Sequence, residues 1–426
     1  MKLHCVLRRY STATDRFLFD AAPGTLHASQ HPRVLFGRKQ SEQLSVVAPK
    51  VMSKALLVRD RDSGSEKRAQ YAQYLLQKAN IPCFMFTLQR DCATIDSINQ
   101  ARDHARRVGA NGVIAFGGGN VMDTSRAIAA LMANDGNAED LAQGPLSLSH
   151  RAAPLIVMPT VAGCGSEVSN EALVLDESAE AKLTFTKTPI IAEVVIIDPL
   201  LTVSVPMALT SQGALTALGQ CIESFLMNTG DEKVDEICLN GIRTVAEALA
   251  SPLKDGKLQL NDMGFRERLS LGSLYSSLAS CATGFGAAHS VGIGVGGMSD
   301  TPHLQVCAAF LPLVIHRYET ILEENAGDHH FDTLKARLEA VHKILTIVTS
   351  YKTETLSQWF TQVGCLLNIP DAHQLGFDDT LLTSIVDRAT DRLEDCAIRS
   401  SSVLEKQDID SIIQGAVALP SNAKEI

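Results

Sequence analysis

The chain has no CxxC pair among its ten cysteines and no apolar run near the eighteen or so residues that cross a bilayer. The first absence leaves scattered, buried thiols of a reducing compartment as the reading, rather than disulfides or a cysteine-bound zinc. The second excludes membrane insertion. Cationic side chains are also in short supply: 38 Lys and Arg stand against 48 Asp and Glu, a net charge of −10. Nucleic acids and anionic membranes are held by clustered cations, so no nucleic-acid partner is expected. Internal repeats and low-complexity tracts are missing as well.

What is there suits an enzyme-sized protein. At 426 residues the chain can build two domains, and 45% hydrophobic with 20% charged residues is ordinary for a folded one. The opening "MKLHCVLRRYSTATDRF" is basic, has no acid before Asp15, and carries Arg8, Arg9, Tyr10 and Ser11 in the manner of a matrix-protease cleavage site. Residues 1–17 therefore suit a mitochondrial presequence, with a merely basic, frayed terminus as the plain alternative. The expected location is the mitochondrial matrix, otherwise the cytoplasm.

From about residue 50 to 200, short apolar runs alternate with helical patterns. "KALLVRD" (54–60), "PCFMFTL" (82–88), "GVIAFGGGN" (112–120), "APLIVMPT" (153–160) and "EVVIIDP" (193–199) predict strands. Residues 66–80, 96–109 and 121–134 predict the helices between them, and "EALVLDE" with "KLTFTK" predicts a hairpin. Such alternation argues for a parallel sheet covered on both faces. After Pro199 a linker enters a mostly helical stretch, with loops around 252–262, 294–303 and 325–331. A cleft between the halves is the expected ligand site.

Three places carry chemistry. Gly117, Gly118, Gly119 and Asn120 lie between a buried strand and a helix, where bare amides can cradle a pyrophosphate; a tight turn uses the same residues. The triplet is not G-x-G-x-x-G, so an ordinary Rossmann fingerprint is not claimed. Asp60 closes a strand and can accept from an adenosine ribose, favouring NAD, whereas its neighbours Arg59 and Arg61 can accept the 2′-phosphate of NADP. The turn "PTVAGCGSE" (159–167) offers Thr160, Cys164 and Ser166 as donors to a dinucleotide.

"GGGNVMDTSRA", "PTVAGCGSEVS", "IIDPLLTVSVPMALT", "CIESF" and "GGMSDTPH…FLPLV", in this order, resemble the iron-type alcohol dehydrogenases. That superfamily includes maleylacetate reductases and hydroxyacid-oxoacid transhydrogenases. The resemblance covers roughly residues 30 to 320. It implies an α/β plus α architecture of the dehydroquinate synthase-like type. A parallel-sheet dinucleotide-binding domain (18–203) precedes an all-helical domain (204–426), with the active site between and a homodimer as the assembly. By position, Asp60 would meet the ribose and Gly117 to Asn120 the pyrophosphate. Asp123 falls in the same motif, where the family usually has Lys three residues on and this chain has Arg126. Thr160, Cys164 and Lys182 would line the nicotinamide; Thr is more usual at Cys164.

The departures concern the metal. Relatives hold their ion with one Asp and three His, but here the Asp position is Thr216 and the first His position is Gln220. Only His289 and His303 remain, and a further family His near the nicotinamide falls on Ile293. A divalent ion wants imidazole or carboxylate ligands, so a tightly held iron or zinc is not expected, although two histidines can still hold one weakly. The expected function is a metal-independent, NAD(P)-dependent reduction of a small keto or aldehyde substrate, similar to maleylacetate reductases. His289, His303 and Lys182 are its catalytic candidates, imidazole titrating near working pH. The alternatives are a dehydrogenase or transhydrogenase with weak metal binding, and a non-catalytic dinucleotide-binding protein.

Overall fold

The computed structural model describes residues 17–19, 32–90, 92–142, 150–185, 190–250, 261–397 and 404–418. The presequence expectation, apart from Phe17, lies outside them, as does most of the loop expected at 252–262. Two units are formed. The first comprises the described residues up to Ala162 together with Ser166–Val205; the second comprises Gly163–Gly165 and the described residues from Pro206 onward.

The first unit is built on strands β1 (Phe17–Phe19), β2 (Arg33–Phe36), β3 (Ala55–Arg59), β4 (Cys83–Thr87), β5 (Gly112–Gly117), β6 (Leu155–Pro159), β7 (Ala172–Asp176), β8 (Ala181–Phe185) and β9 (Val194–Ile197). Seven form one sheet in the order β1-β2-β9-β6-β5-β3-β4, parallel throughout except for the antiparallel β1–β2 pair. β7 and β8 make the separate hairpin the sequence predicts. The strands β1 and β2 were not foreseen. β2 reads "RVLF", too short to show alternation, and pairs with β9 from far along the chain.

Its helices are α1 (Leu44–Val51), α2 (Ser63–Lys78), α3 (Ile95–Val108), α4 (Gly119–Ala133) and α5 (Ala138–Ala142). α3 starts where Thr94 accepts a hydrogen bond from the Ser97 amide, and ends where Gly109 turns left-handed at φ 66°. Leu57, Ile114, Ile156 and Ile196 form one face of the sheet and pack with Val47, Leu75 and Leu76 of α1 and α2. Their neighbours of opposite parity, Leu56, Val58, Val113, Ala115 and Val157, are just as buried, and α4 packs on β5 and β6. Burial on both faces is why these strands read as unbroken apolar runs. From β3 the chain moves outward to β4, then returns to β5 on the other side of β3. That reversal leaves the carboxyl ends of β3 and β5 side by side, the place where open α/β sheets take ligands.

In its described residues from Pro206 onward the second unit is helical: α6 (Met207–Leu226), α7 (Glu232–Leu249), α8 (Met263–Thr283), α9 (Ala287–Val295), α10 (His303–Glu324), α11 (Asp332–Thr349), α12 (Leu356–Leu366), α13 (Asp379–Ala397) and α14 (Lys406–Ala418). α6 is buried from Thr210 to Leu226, which fits a helix that is mostly apolar or small on every side, with Gln212, Gln220 and Glu223 as its buried polar exceptions. No single described helix is long and apolar enough to cross a membrane. The described cysteines form no disulfide; four of the eight are buried, whereas Cys365 is exposed, so the expectation of uniformly buried thiols is corrected.

Candidate functional site

In the first unit the glycine loop is held by a carboxylate. The Gly118 amide donates to Asp60 Oδ2 at 3.1 Å. A Cβ at Gly117 would lie 2.6 Å from that oxygen and 2.4 Å from Val121, so only glycine lets the strand end approach so closely. Gly118 precedes the first turn of α4, whose amides face outward along the helix axis as an anion cradle. Thr160, fully buried, continues the arrangement through its amide, which donates to the Gly117 carbonyl at 3.0 Å.

Asp123 sits differently from a ligand-facing expectation. Asp123 is buried and ion-paired with Arg126 at 3.1 Å, so its carboxylate meets a protein cation. Burial pushes it up to about 6, against the pull of Arg126, the Leu173 amide and Lys182. Arg126, fully buried, also donates to the carbonyls of Ser169 (3.0 Å) and Ser166. Arg126 therefore ties the start of α4 to the loop after β6. Lys182, half-buried on β8, acts on Asp123.

In the second unit, α6, α9 and α10 bring the other candidates together. His289 Nδ1 and His303 Nε2 are 3.3 Å apart, with the rings edge to face. His289 is buried and stacked on Phe285, ring centres 3.8 Å apart, which fixes its plane. Cys307, one turn beyond His303 on α10, places its sulfur 3.5 Å from His303 Nε2. A cavity of about 10 Å³, room for roughly one water, is lined by Thr216, Gln220, Glu223, His289 and Cys307 among others. Ile293, also buried, lies on α9 four residues after His289. His316, His329 and His330 are exposed, and half-buried His342 bonds Thr353.

The donor set at the four positions that resemblance assigns to iron does not fit that ion. The Thr216 hydroxyl donates to the Leu304 carbonyl at 3.4 Å, and Gln220 Nε2 to the Cys164 carbonyl at 3.5 Å. Both groups are neutral, and each donates to a backbone carbonyl. Iron(II) in such a site wants an anionic oxygen and more imidazole than two rings supply. The carboxylate that is present, Glu223, is engaged elsewhere, accepting from the Ala287 and Ala288 amides at the start of α9. Burial pushes Glu223 up to about 7, those amides acting in the opposite direction.

Two residues escaped the sequence reading. Cys307 was available as a four-residue step from His303 on a helix face, and Glu223 as the acid within "CIESF". Neither spacing means much until the fold shows what lies opposite.

Comparison with known proteins agrees with this architecture. The profile of the iron-containing alcohol dehydrogenases matches residues 31–199, and that of their C-terminal region residues 210–417. A choline dehydrogenase of Bacillus subtilis is 31% identical over 267 residues, 62% of this chain and 65% of that protein. A 4-hydroxybutyrate dehydrogenase of Cupriavidus necator is 28% identical over 268 residues, 61% and 68% of the two chains. The chain spans 65%, 54% and 52% of the length of three curated relatives it matches. Among solved structures, sulfoacetaldehyde reductase from Bifidobacterium kashiwanohense in complex with NAD+ shares the fold, with a TM-score of 0.75 at 17% identity over 91% of this chain and 97% of that one. With both consecutive profiles matched and the same fold throughout, the chain belongs to the iron-containing alcohol dehydrogenase family.

Proposed function

We propose that the protein is an NAD(H)-linked oxidoreductase that reduces a small keto acid or aldehyde without the family's iron, in the manner of maleylacetate reductases. The observation that carries this reading is the His289–His303 pair, 3.3 Å apart, beside Thr216 and Gln220 where relatives would carry an acid and a third imidazole. The first unit holds the dinucleotide: the Gly118–Gly119 helix start takes the pyrophosphate and Asp60 organises the loop. The relatives named above are dehydrogenases, and the structural neighbour binds NAD+.

The Gly118–Gly119 helix start and the loop held by Asp60 would hold a nicotinamide dinucleotide, which when bound would supply hydride to a substrate carbonyl carbon. The carbonyl oxygen takes a proton from a histidine N–H, and that imidazole recovers one from water. Preorganised donors aimed at the developing alkoxide do the work that a Lewis acid does elsewhere. His303, half-buried, is the donor, and His289 holds it in orientation. Lys182 attracts a substrate carboxylate.

The test is turnover of NADH and NADPH against a panel of keto acids and aldehydes, with chelator and with added Fe²⁺. Consumption of NADH that is indifferent to both, and lost in His303→Asn, is the expected outcome. Activity abolished by chelator and restored by Fe²⁺ would overturn the iron-free reading, and no turnover with any carbonyl would leave a dinucleotide-binding protein. The basic residues 1–17 carry a separate proposal, mitochondrial import, which a fusion of that segment to a fluorescent reporter tests.

A further inference from the structure

We propose that Arg68 on α2 is a specificity-determining residue of the dinucleotide site, taking the 2′-phosphate of NADP(H), so that the chain binds NADPH as well as NADH. The inference rests on the reading of the first unit as the dinucleotide-binding one. Arg68 Nε and Nη1 are buried and have no hydrogen-bond partner among the described residues, and Arg59 Nε is in the same state. Buried donors are normally spent, and a guanidinium presents its own in a planar fork that matches a phosphate. Three such nitrogens without partners, on two cations, call for an anion.

The fold carries Arg68 to the edge where a dinucleotide lies. Arg68, Ala72, Leu75 and Leu76 recur at helical spacing, and the last three pack with Leu57 and Ile114 of the sheet. Arg68 therefore opens the sheet-facing stripe of α2. Because α2 follows β3 directly, its first turns stand at the carboxyl ends of the strands, and helical side chains lean toward the helix start. Burial lowers the Arg68 pKa, and the carboxylates that pull the other way are Asp62 and Asp60, just after β3. Arg59 shares that face, since Ala55, Leu57 and Arg59 alternate along β3, and it reaches Glu66 of α2 at 3.9 Å.

Two features single out the 2′-phosphate. The pyrophosphate is served by the amides at the start of α4, which packs on the opposite face of the sheet from α2, so a cation on the α2 side meets the adenosine end instead. A carboxylate at this strand end disfavours a 2′-phosphate, whereas an arginine nearby accommodates one. Here Asp60 Oδ2 is engaged by the Gly118 amide at 3.1 Å, and Arg68 offsets its charge.

The experiment reads binding rather than turnover. NADH and NADPH are titrated separately into the full chain by nicotinamide fluorescence, and adenosine 2′,5′-bisphosphate is compared with adenosine 5′-monophosphate as a displacer of NADH. Those two fragments differ only in the 2′-phosphate. The bisphosphate is expected to displace NADH at the lower concentration. Arg68→Met should raise the dissociation constant of NADPH about tenfold or more beyond any change for NADH. Arg68→Lys, which keeps the charge, should recover part of the loss, with circular dichroism reporting the fold of both variants. Equal losses for the two cofactors would assign Arg68 to the pyrophosphate or to packing and overturn the proposal. So would a bisphosphate no better than the monophosphate on the wild type, a result independent of any variant. Failure of the wild type to bind either dinucleotide defeats the underlying reading of the unit, whereas NADH bound without preference for a 2′-phosphate defeats this inference alone.

Discussion

Asp60, at the end of β3, accepts the amide of Gly118, at the end of β5, at 3.1 Å. The two strands are neighbours in the sheet although about sixty residues separate them, because the chain reverses its lateral direction there. One carboxylate thus sets the conformation of the loop that opens α4.

Removing that carboxylate should weaken the dinucleotide. A hydrogen bond to a charged group is worth about 1.5–3 kcal/mol, so Asp60→Ala is expected to raise the dissociation constant for NADH roughly tenfold or more. Asp60→Asn, which keeps an oxygen acceptor, should fall between. Titration of bound-NADH fluorescence measures both, and an unchanged constant in Asp60→Ala removes the residue from the cofactor site.

Gly292→Ala probes the close approach of α9 and α10. The new methyl would sit 2.7 Å from Cys307 Sγ and 2.8 Å from the His303 ring, so those side chains must shift. Overpacking of this kind costs about 1–3 kcal/mol. A lower urea midpoint together with impaired turnover is expected; a variant as stable and active as the parent would show that the packing there is loose.

Glu223 gives a pH signature. Its folded value of about 7 lies above the unfolded 4.5, so the unfolded chain loses this proton first as pH rises. Stability from this group is therefore full below about pH 4.5 and declines to pH 7, after which it levels off. The difference corresponds to about 3 kcal/mol. Glu223→Gln keeps an oxygen for the Ala288 amide and cannot ionise. It should gain on the wild type through that interval, as read from urea midpoints at pH 5 and pH 8. Parallel curves for the two proteins would refute a buried, proton-holding Glu223.

Arg126 is the fourth target. It is fully buried and serves Asp123 and two carbonyls. Arg126→Met leaves a buried carboxylate uncompensated, a loss of about 3–5 kcal/mol. Asp123→Asn, whose parent carboxyl already holds its proton up to about 6, should cost less. Comparison of the two urea midpoints decides it; equal losses would mean the ion pair acts as one unit.

The parallel strands were legible because burial on both faces demands continuous apolar runs, and the helices between them because one face must stay wet. "GVIAFGGGN" declared both the end of a strand and the start of a helix, and β5 and α4 follow it closely. The "RVLF" strand was not legible, since four residues carry no period and its partner β9 is remote in sequence. Asp123 was legible as a member of a motif but not as a buried ion, because its partner and its exposure depend on what folds over it.

Composition and local pattern alone determined the α/β half and the helical half, which follow from periodicity and from residue chemistry and need no neighbours; that Thr216 and Gln220 fall where relatives carry an acid and an imidazole is what the family resemblance implies. Only tertiary structure decided that Asp60 would grip Gly118, that Glu223 would serve the start of α9, and that Cys307 would stand beside His303 and His289. Each of those relations joins atoms on different elements, or gains its meaning from an atom on another. Distances of three or four ångströms across elements are set by packing, and packing is a property of the whole chain.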